Sequence, residues 1–219
     1  MFNFILIIIL IVIIMIKHNY NLKIKYKTFT KKGFAPKRGY FGVYCYCGKQ
    51  GQGKTYSVVE FLKENNDMPI YANISTIDKK QIDYTYFQGF KQLLDLRDKT
   101  DCIIVYDEIF TALTKGSKIN TDVLDFLSQM RKRRIIFLTT AQEWLEINIT
   151  LRRYCRYQIN CKMRNFLGLG ILTKTFYDAE NMKWSVQDNE YVAPLIQTTL
   201  SKCNLDVANS YDTFEQINT

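Results

Sequence analysis

The eight residues Gly48 to Thr55 read GKQGQGKT and fit the spacing G-x-x-x-x-G-K-[ST], whose chemistry is the grip of a phosphate chain. Glycines let consecutive backbone N–H groups turn inward around an anion where side chains would obstruct the approach. Gly48, Lys49, Gln50, Gly51, Gln52 and Gly53 are expected to form that cradle, Lys54 to reach the β- and γ-phosphates, and the Thr55 hydroxyl to ligate Mg²⁺. A second run, CIIVYDEI from Cys102 to Ile109, ends an apolar strand in two acids. Asp107 is expected to hold the Mg²⁺ through water, and Glu108 to serve as base or to orient the attacking water. Acids end many buried strands, but beside a phosphate loop the pair points to hydrolysis of ATP rather than transfer of its phosphate. A third run, RRIIFLTTAQ from Arg133 to Gln142, is an apolar strand with a polar end. Gln142 or Thr139 is placed to sense the γ-phosphate; the plainer reading, that they open the next turn, stands beside it.

These residues need elements to position them. YFGVYCYC precedes the glycine loop as a buried strand, and TYSVVEFLKEN follows it with helical spacing at Val58, Val59 and Leu62, aiming a helix N-terminus at the anion. Strands are predicted near 40–47, 69–74, 102–106 and 134–139, and helices near 54–65, 86–97, 121–131 and 143–149. Alternation of strand and helix argues for an α/β fold with a mainly parallel sheet covered on both faces. One strand falls between the glycine loop and the acids, as a RecA-like P-loop arrangement needs, with a strand lying between the two that carry them. Beyond Arg152, YCRYQINCKM, GILTKTFYD and KWSVQ alternate in period two and predict an antiparallel extension. Residues 40–187 are expected to form the ATPase domain. Residues 188–219 form a polar tail that drapes over it or is disordered.

The 219 residues, 47% of them hydrophobic, suffice for one domain with an appendage. The net charge is +9, yet eight of the Lys/Arg lie between Lys17 and Arg38 without one Asp or Glu, so the rest is near neutral. The single histidine, His18, excludes a Ser-His-Asp or Cys-His hydrolase, and six cysteines without a CxxC argue against zinc. They read as buried free thiols of a reducing compartment. Phe4 to Ile16 is an unbroken apolar run. Sixteen helical residues reach roughly 24 Å, short of a hydrocarbon core of about 30 Å, a gap that Lys17 and Lys23 can close by snorkelling with Tyr20 at the interface. With no basic segment before it and no small-residue cleavage site after it, residues 1–20 are expected to be an uncleaved transmembrane anchor. Residues 21–39 are then a basic linker. The positive charge after the span puts the N-terminus outside and the ATPase domain in the cytoplasm.

Together GKQGQGKT, MPIYANI, IIVYDEIF, FLSQMRKRRIIFLTTAQ and LRRYCR resemble the FtsK/HerA-type ATPases. The likeness is to the zonula-occludens-toxin-like assembly proteins of filamentous phages and to small viral genome-packaging ATPases, over roughly residues 40–165. It implies catalysis by Glu108, γ-phosphate sensing by Gln142, and a trans-acting arginine finger from Arg131, Arg152 or Arg153. It further implies ATP and Mg²⁺ as ligands, a homo-oligomeric ring, a phage or viral genome as nucleic-acid partner, and coat or other assembly proteins as contacts. The phage proteins carry their span after the ATPase domain, whereas here it comes first, which leaves any contacts outside the cell open.

The expected function is a motor at the host inner membrane that drives nucleic acid across it during virion assembly. Packaging of double-stranded DNA is the alternative with the same chemistry, and a non-hydrolysing, nucleotide-gated membrane scaffold the alternative of another class. The basic run MRKRR, Met130 to Arg134, is either a DNA-facing loop or a solvated helix end that complements the helix dipole. FLGLG, Phe166 to Gly170, reads as a turn without phosphate-site context.

Overall fold

The computed structural model describes residues 2–17, 20–21, 41–109, 119–166, 169–187 and 189–212. Most of the expected linker, residues 22–39, and the last part of the tail, 213–219, lie outside them. The chain opens with α1 (Phe2–Lys17) and β1 (Tyr20–Asn21), followed by β2 (Gly42–Cys47), α2 (Lys54–Glu64), β3 (Ile70–Ala72) and β4 (Thr85–Tyr86). Then come α3 (Gly89–Asp95), β5 (Ile103–Tyr106), α4 (Thr121–Gln129), β6 (Ile136–Ala141), α5 (Ile149–Tyr154) and β7 (Cys155–Phe166). β8 (Leu169–Asp178), β9 (Lys183–Ser185), β10 (Glu190–Val192), β11 (Leu195–Lys202) and α6 (Leu205–Ala208) complete the described residues.

Nine strands form one sheet in the order β1-β11-β8-β7-β2-β6-β5-β3-β4, parallel from β7 through β4 and antiparallel among β7, β8 and β11. This is the expected α/β RecA-like P-loop fold. β2 is buried along its whole length because layers cover both its faces. Tyr44 and Tyr46 pack toward α2 with Val58, Phe61 and Leu62. Val43, Cys45 and Cys47 pack the other way with Phe126 and Leu127 of α4. Burial is the largest cause that raises the Cys45 thiol and lifts Cys102 to about 11 and Cys161 to about 12.

Three expectations change. The helix near 143–149 is a 3₁₀ turn, Trp144–Glu146, followed by α5, which restarts where the Asn148 side chain accepts the Thr150 N–H at 2.9 Å. Tyr86, expected at the start of a helix, pairs with Ala72 instead, beside Thr85 on Tyr71. The tail does not merely drape: Leu195–Lys202 joins the sheet against β8, because its alternating Gln197, Thr199 and Ser201 conceal a strand beneath a polar composition. Tyr20 and Asn21, at the boundary between expected anchor and linker, pair in parallel with Thr198 and Thr199 and cover that edge. α1 is 16 residues long with Phe4 to Ile14 exposed, and among the described residues no helix is long and apolar enough to cross a membrane.

The C-terminal extension holds α2 at three points. Lys174 of β8 forms an ion pair with Glu60, with side-chain exposures of 6% and 18%. The Asn204 N–H donates to Tyr56 Oη at 2.7 Å. Lys63 Nζ donates to Gln81 Oε1 at 2.7 Å, to the Asp206 carbonyl at 3.0 Å and to Ser210 Oγ at 3.1 Å. Removing one partner of a buried pair strands the other charge. Glu60→Gln is therefore expected to lower unfolding stability by about 3 kcal/mol in chemical denaturation. Glu60→Leu combined with Lys174→Met should recover most of the loss; equal stability of Glu60→Gln and wild type would refute the role given to the pair.

Candidate active site

The site begins where β2 ends. Gly48 has φ +154 and a Cβ there would lie 2.7 Å from the Cys161 carbonyl oxygen, while Gly53, the N-cap of α2, has φ +81 and a Cβ there would lie 2.8 Å from Met163 Cε. Gly48 is required by the close approach of the β7 backbone as well as by conformation, and Gly53 by its left-handed conformation. The loop is shaped from behind by the extension, and the Gln52 side chain accepts the Met163 N–H at 3.2 Å. Lys54 is buried, and its Nζ donates to the Lys49 carbonyl at 3.2 Å, which curls the side chain over the loop.

β6 lies between β2 and β5, pairing with both. The strand between phosphate loop and acids is thus Ile136–Ala141, whereas β3, which separates them in sequence, lies beyond β5. Asp107 follows β5 and is fully framed. Thr55 Oγ1 donates to Asp107 Oδ2 at 3.3 Å, and Thr140 Oγ1 donates to Asp107 Oδ1. Its backbone is pinned by Asn73: the Asp107 N–H donates to Asn73 Oδ1 at 2.7 Å and Asn73 Nδ2 donates to the Asp107 carbonyl at 3.3 Å. Burial raises the Asp107 pKa, against which the Thr140 and Thr55 hydrogen bonds and Lys54 favour the carboxylate.

Glu108 has φ +56, a region that a non-glycine residue enters at a cost of about 1 kcal/mol or more. Its N–H donates to Thr140 Oγ1 at 2.8 Å, so one hydroxyl ties together the turn that carries both acids. Burial first, and the Asp107 charge second, raise the Glu108 pKa, while Lys54 lowers it. Thr55 and Asp107 present hard oxygens side by side, a donor set that suits Mg²⁺.

Other expectations separate here. Thr139 is turned away: its Oγ1 donates to the Tyr106 carbonyl at 2.8 Å inside the core, and Thr140 takes the place beside the acids. Gln142 stays at the mouth, its carbonyl accepting the Gly48 N–H at 3.1 Å and its side chain exposed. Of the three finger candidates, Arg131, Arg152 and Arg153, none is placed beside Asp107 or Glu108 of its own chain. Arg131 pairs with Glu180, and its Nε lies 4.0 Å from a Cβ built on Gly42, at the start of β2. Arg152 and Arg153 sit on α5, which leads to Cys155, the partner of Val43. All three gather at the sheet edge opposite the phosphate loop. Arg152 is buried, which lowers its pKa, and a guanidinium held inside its own chain cannot reach a neighbour, so this finger candidate is withdrawn. The MRKRR run is ion-paired through Arg131 to Glu180, Arg133 to Asp98 and Arg134 to Asp101, which favours the solvated helix end over a DNA-facing loop.

Asn73 and Thr140 were not legible as site residues. Period-two alternation separates Thr139 from Thr140 but does not say which faces the acids.

Residues 44–165 match the family model of the ATPase family associated with various cellular activities. No curated protein sequence matches the chain. The N-terminal domain of zonular occludens toxin from Neisseria meningitidis superposes with a TM-score of 0.53 at 18% identity, over 78% of this chain and 98% of that one, a likeness of fold alone. The genome packaging NTPase from Sulfolobus turreted icosahedral virus 2, solved with ATP-gammaS, gives a TM-score of 0.48 at 11% identity over 71% of this chain and 98% of that one, too low to argue from.

Thr140→Val keeps volume and removes the hydroxyl. It is expected to lower ATP turnover about 10- to 100-fold and to raise the Mg²⁺ concentration needed for half-maximal rate. Thr140→Ser should restore most of both, and unchanged Mg²⁺ dependence and rate in the valine variant would dismiss the assigned role.

Proposed function

The chain belongs to the family of ATPases associated with various cellular activities, and from that premise we propose that it is a membrane-attached motor that couples ATP hydrolysis to movement of nucleic acid in virion assembly. Membership makes it a P-loop ATPase; the cargo, the membrane and the ring are the inference. The observation that carries the reading is the assembled hydrolytic turn, with Glu108 held beside Asp107 by Thr140. A scaffold that only bound nucleotide would have no use for a strained glutamate at that point.

Gly48 to Thr55 bind the phosphate chain, Lys54 directing charge at its outer phosphates. Thr55 and Asp107 would hold Mg²⁺, which supplies charge neutralisation on the phosphate oxygens. Glu108 orients a water and accepts its proton, while Thr140 keeps the Glu108 backbone in the turn that aims the carboxylate. Gln142, at the mouth of the loop, is the γ-phosphate sensor. Arg131 and Arg153 do not reach the acids of their own chain, which supports a ring in which Arg153, exposed on α5, or Arg131 of one copy serves the next. α1, apolar and exposed on every side, supports insertion into the host inner membrane, with the N-terminus outside and the ATPase domain in the cytoplasm.

ATP turnover of the full-length protein is expected to rise with added DNA. Glu108→Gln should lose at least about 100-fold of it while still binding ATP. A rate indifferent to every nucleic acid tried would sink the motor reading. The anchor is tested separately. Full-length protein should float with phospholipid vesicles through alkaline carbonate, and deletion of residues 1–17 should leave it in the dense fraction; wild-type protein stripped by carbonate would refute insertion.

A further inference from the structure

Among the described residues no helix lines the outer face of β7, β8 and β11 where Lys162 and Arg164 lie. It forms the floor of a trough of about 980 Å³, with the phosphate loop at Gly48, Lys49 and Gln52 and the turn Gln142–Glu143 as its wall. The register sets the floor out in rows: Arg164 pairs with Ile171, Lys162 with Thr173 and onward to Leu200, and Asn160 with Thr175. Lys162 and Arg164 are exposed and two residues apart on one strand, so their charges recur about every 6.6 Å along the trough. With Lys49 they oppose one carboxylate of the lining, Glu143.

The trough runs on at Asn160 and Tyr177 into a cavity of about 240 Å³, which is also lined by Trp144, Gln158, Glu190 and Tyr191. Trp144 is 8% exposed, and its Nε1 has no hydrogen-bond partner among the described residues. A buried indole N–H left unpaired is costly, and the Trp144 ring forms part of the cavity lining beside Tyr177 and Tyr191. The Gln158 amide is oriented there by donating to Asn160 Oδ1 at 3.0 Å.

We propose that trough and cavity together bind a single strand of nucleic acid, its phosphates on Lys162, Arg164 and Lys49 and one unstacked base in the cavity between Tyr177 and Trp144. Repeated cations beside an aromatic pocket are what splayed single strands require. The floor is three strands wide, about 10 Å between its outer axes, whereas the major groove of B-DNA alone is about 12 Å across. The occupant is a single strand for that reason. Lys49 belongs to trough and phosphate loop alike, so strand and nucleotide meet on one segment of backbone. A solvated sheet face would show the same alternation of polar residues, but it would not run from the phosphate loop into a cavity lined by Trp144, Tyr177 and Tyr191.

The assignment rests on the nucleic-acid-driven activity proposed above, and the test separates the two. Binding of fluorescent dT20 to the full-length protein is followed by anisotropy across salt concentrations, with ATP affinity measured in parallel. Lys162→Ala with Arg164→Ala is expected to weaken dT20 binding at least about tenfold at low salt and to reduce the salt slope by about 1.4, two single-strand phosphate contacts, with ATP affinity unchanged. Trp144→Phe should weaken binding severalfold without altering the slope. Lys132→Ala, exposed in the MRKRR run, is the control and should bind as wild type. If wild type binds dT20 and the trough variants bind equally well, the strand lies elsewhere and the motor reading survives. Tighter binding of a duplex of the same length would overturn the strand assignment. If wild type binds no nucleic acid and none stimulates its turnover, both fall, and the trough is left to a protein partner.

Discussion

The site depends on one buried carboxylate. Asp107 lies at the end of a strand enclosed on both faces, where an ion without partners would be pushed toward protonation. Hydroxyls from two other elements oppose this, Thr55 from the start of α2 and Thr140 from the end of β6. Because β6 separates the two strands that carry the motifs, these contacts draw the phosphate loop, the acids and the intervening strand to one point. Asn73 adds a fourth element by fixing the backbone under the carboxylate.

The antiparallel extension has the complementary task. β7 crowds Gly48 so closely that it tolerates no Cβ, and β8 and α6 hold α2 through Glu60, Tyr56 and Lys63. The loop is therefore clamped between acids in front and extension behind, which is a preorganised arrangement for phosphate. A load applied to β7 or β8, such as the strand proposed for their outer face, bears directly on that clamp.

The arginines show the opposite logic. They collect at the amino edge of the sheet, far from the acids, with Arg131 and Arg152 already engaged by Glu180 and by burial. In the proposed ring this distance is what makes hydrolysis depend on a neighbour, since Lys54 is joined by a finger arginine only on assembly.

What the amino-acid sequence determined by itself was local and periodic. The spacing of GKQGQGKT, the two acids after CIIVY and the apolar strands around them name the phosphate loop, Asp107 and Glu108, because each signal lies within one strand, turn or helix start. Strands β2, β5 and β6 and helices α2 and α4 were legible for the same reason. Tertiary structure decided what depends on which segments become neighbours. It put β6 rather than β3 between the motifs, chose Thr140 over Thr139, recruited Asn73, drew Leu195–Lys202 into the sheet and buried Arg152. Strand order and the facing of one hydroxyl are set by packing across the sheet, between residues dozens of positions apart, and no pattern along the chain encodes that distance.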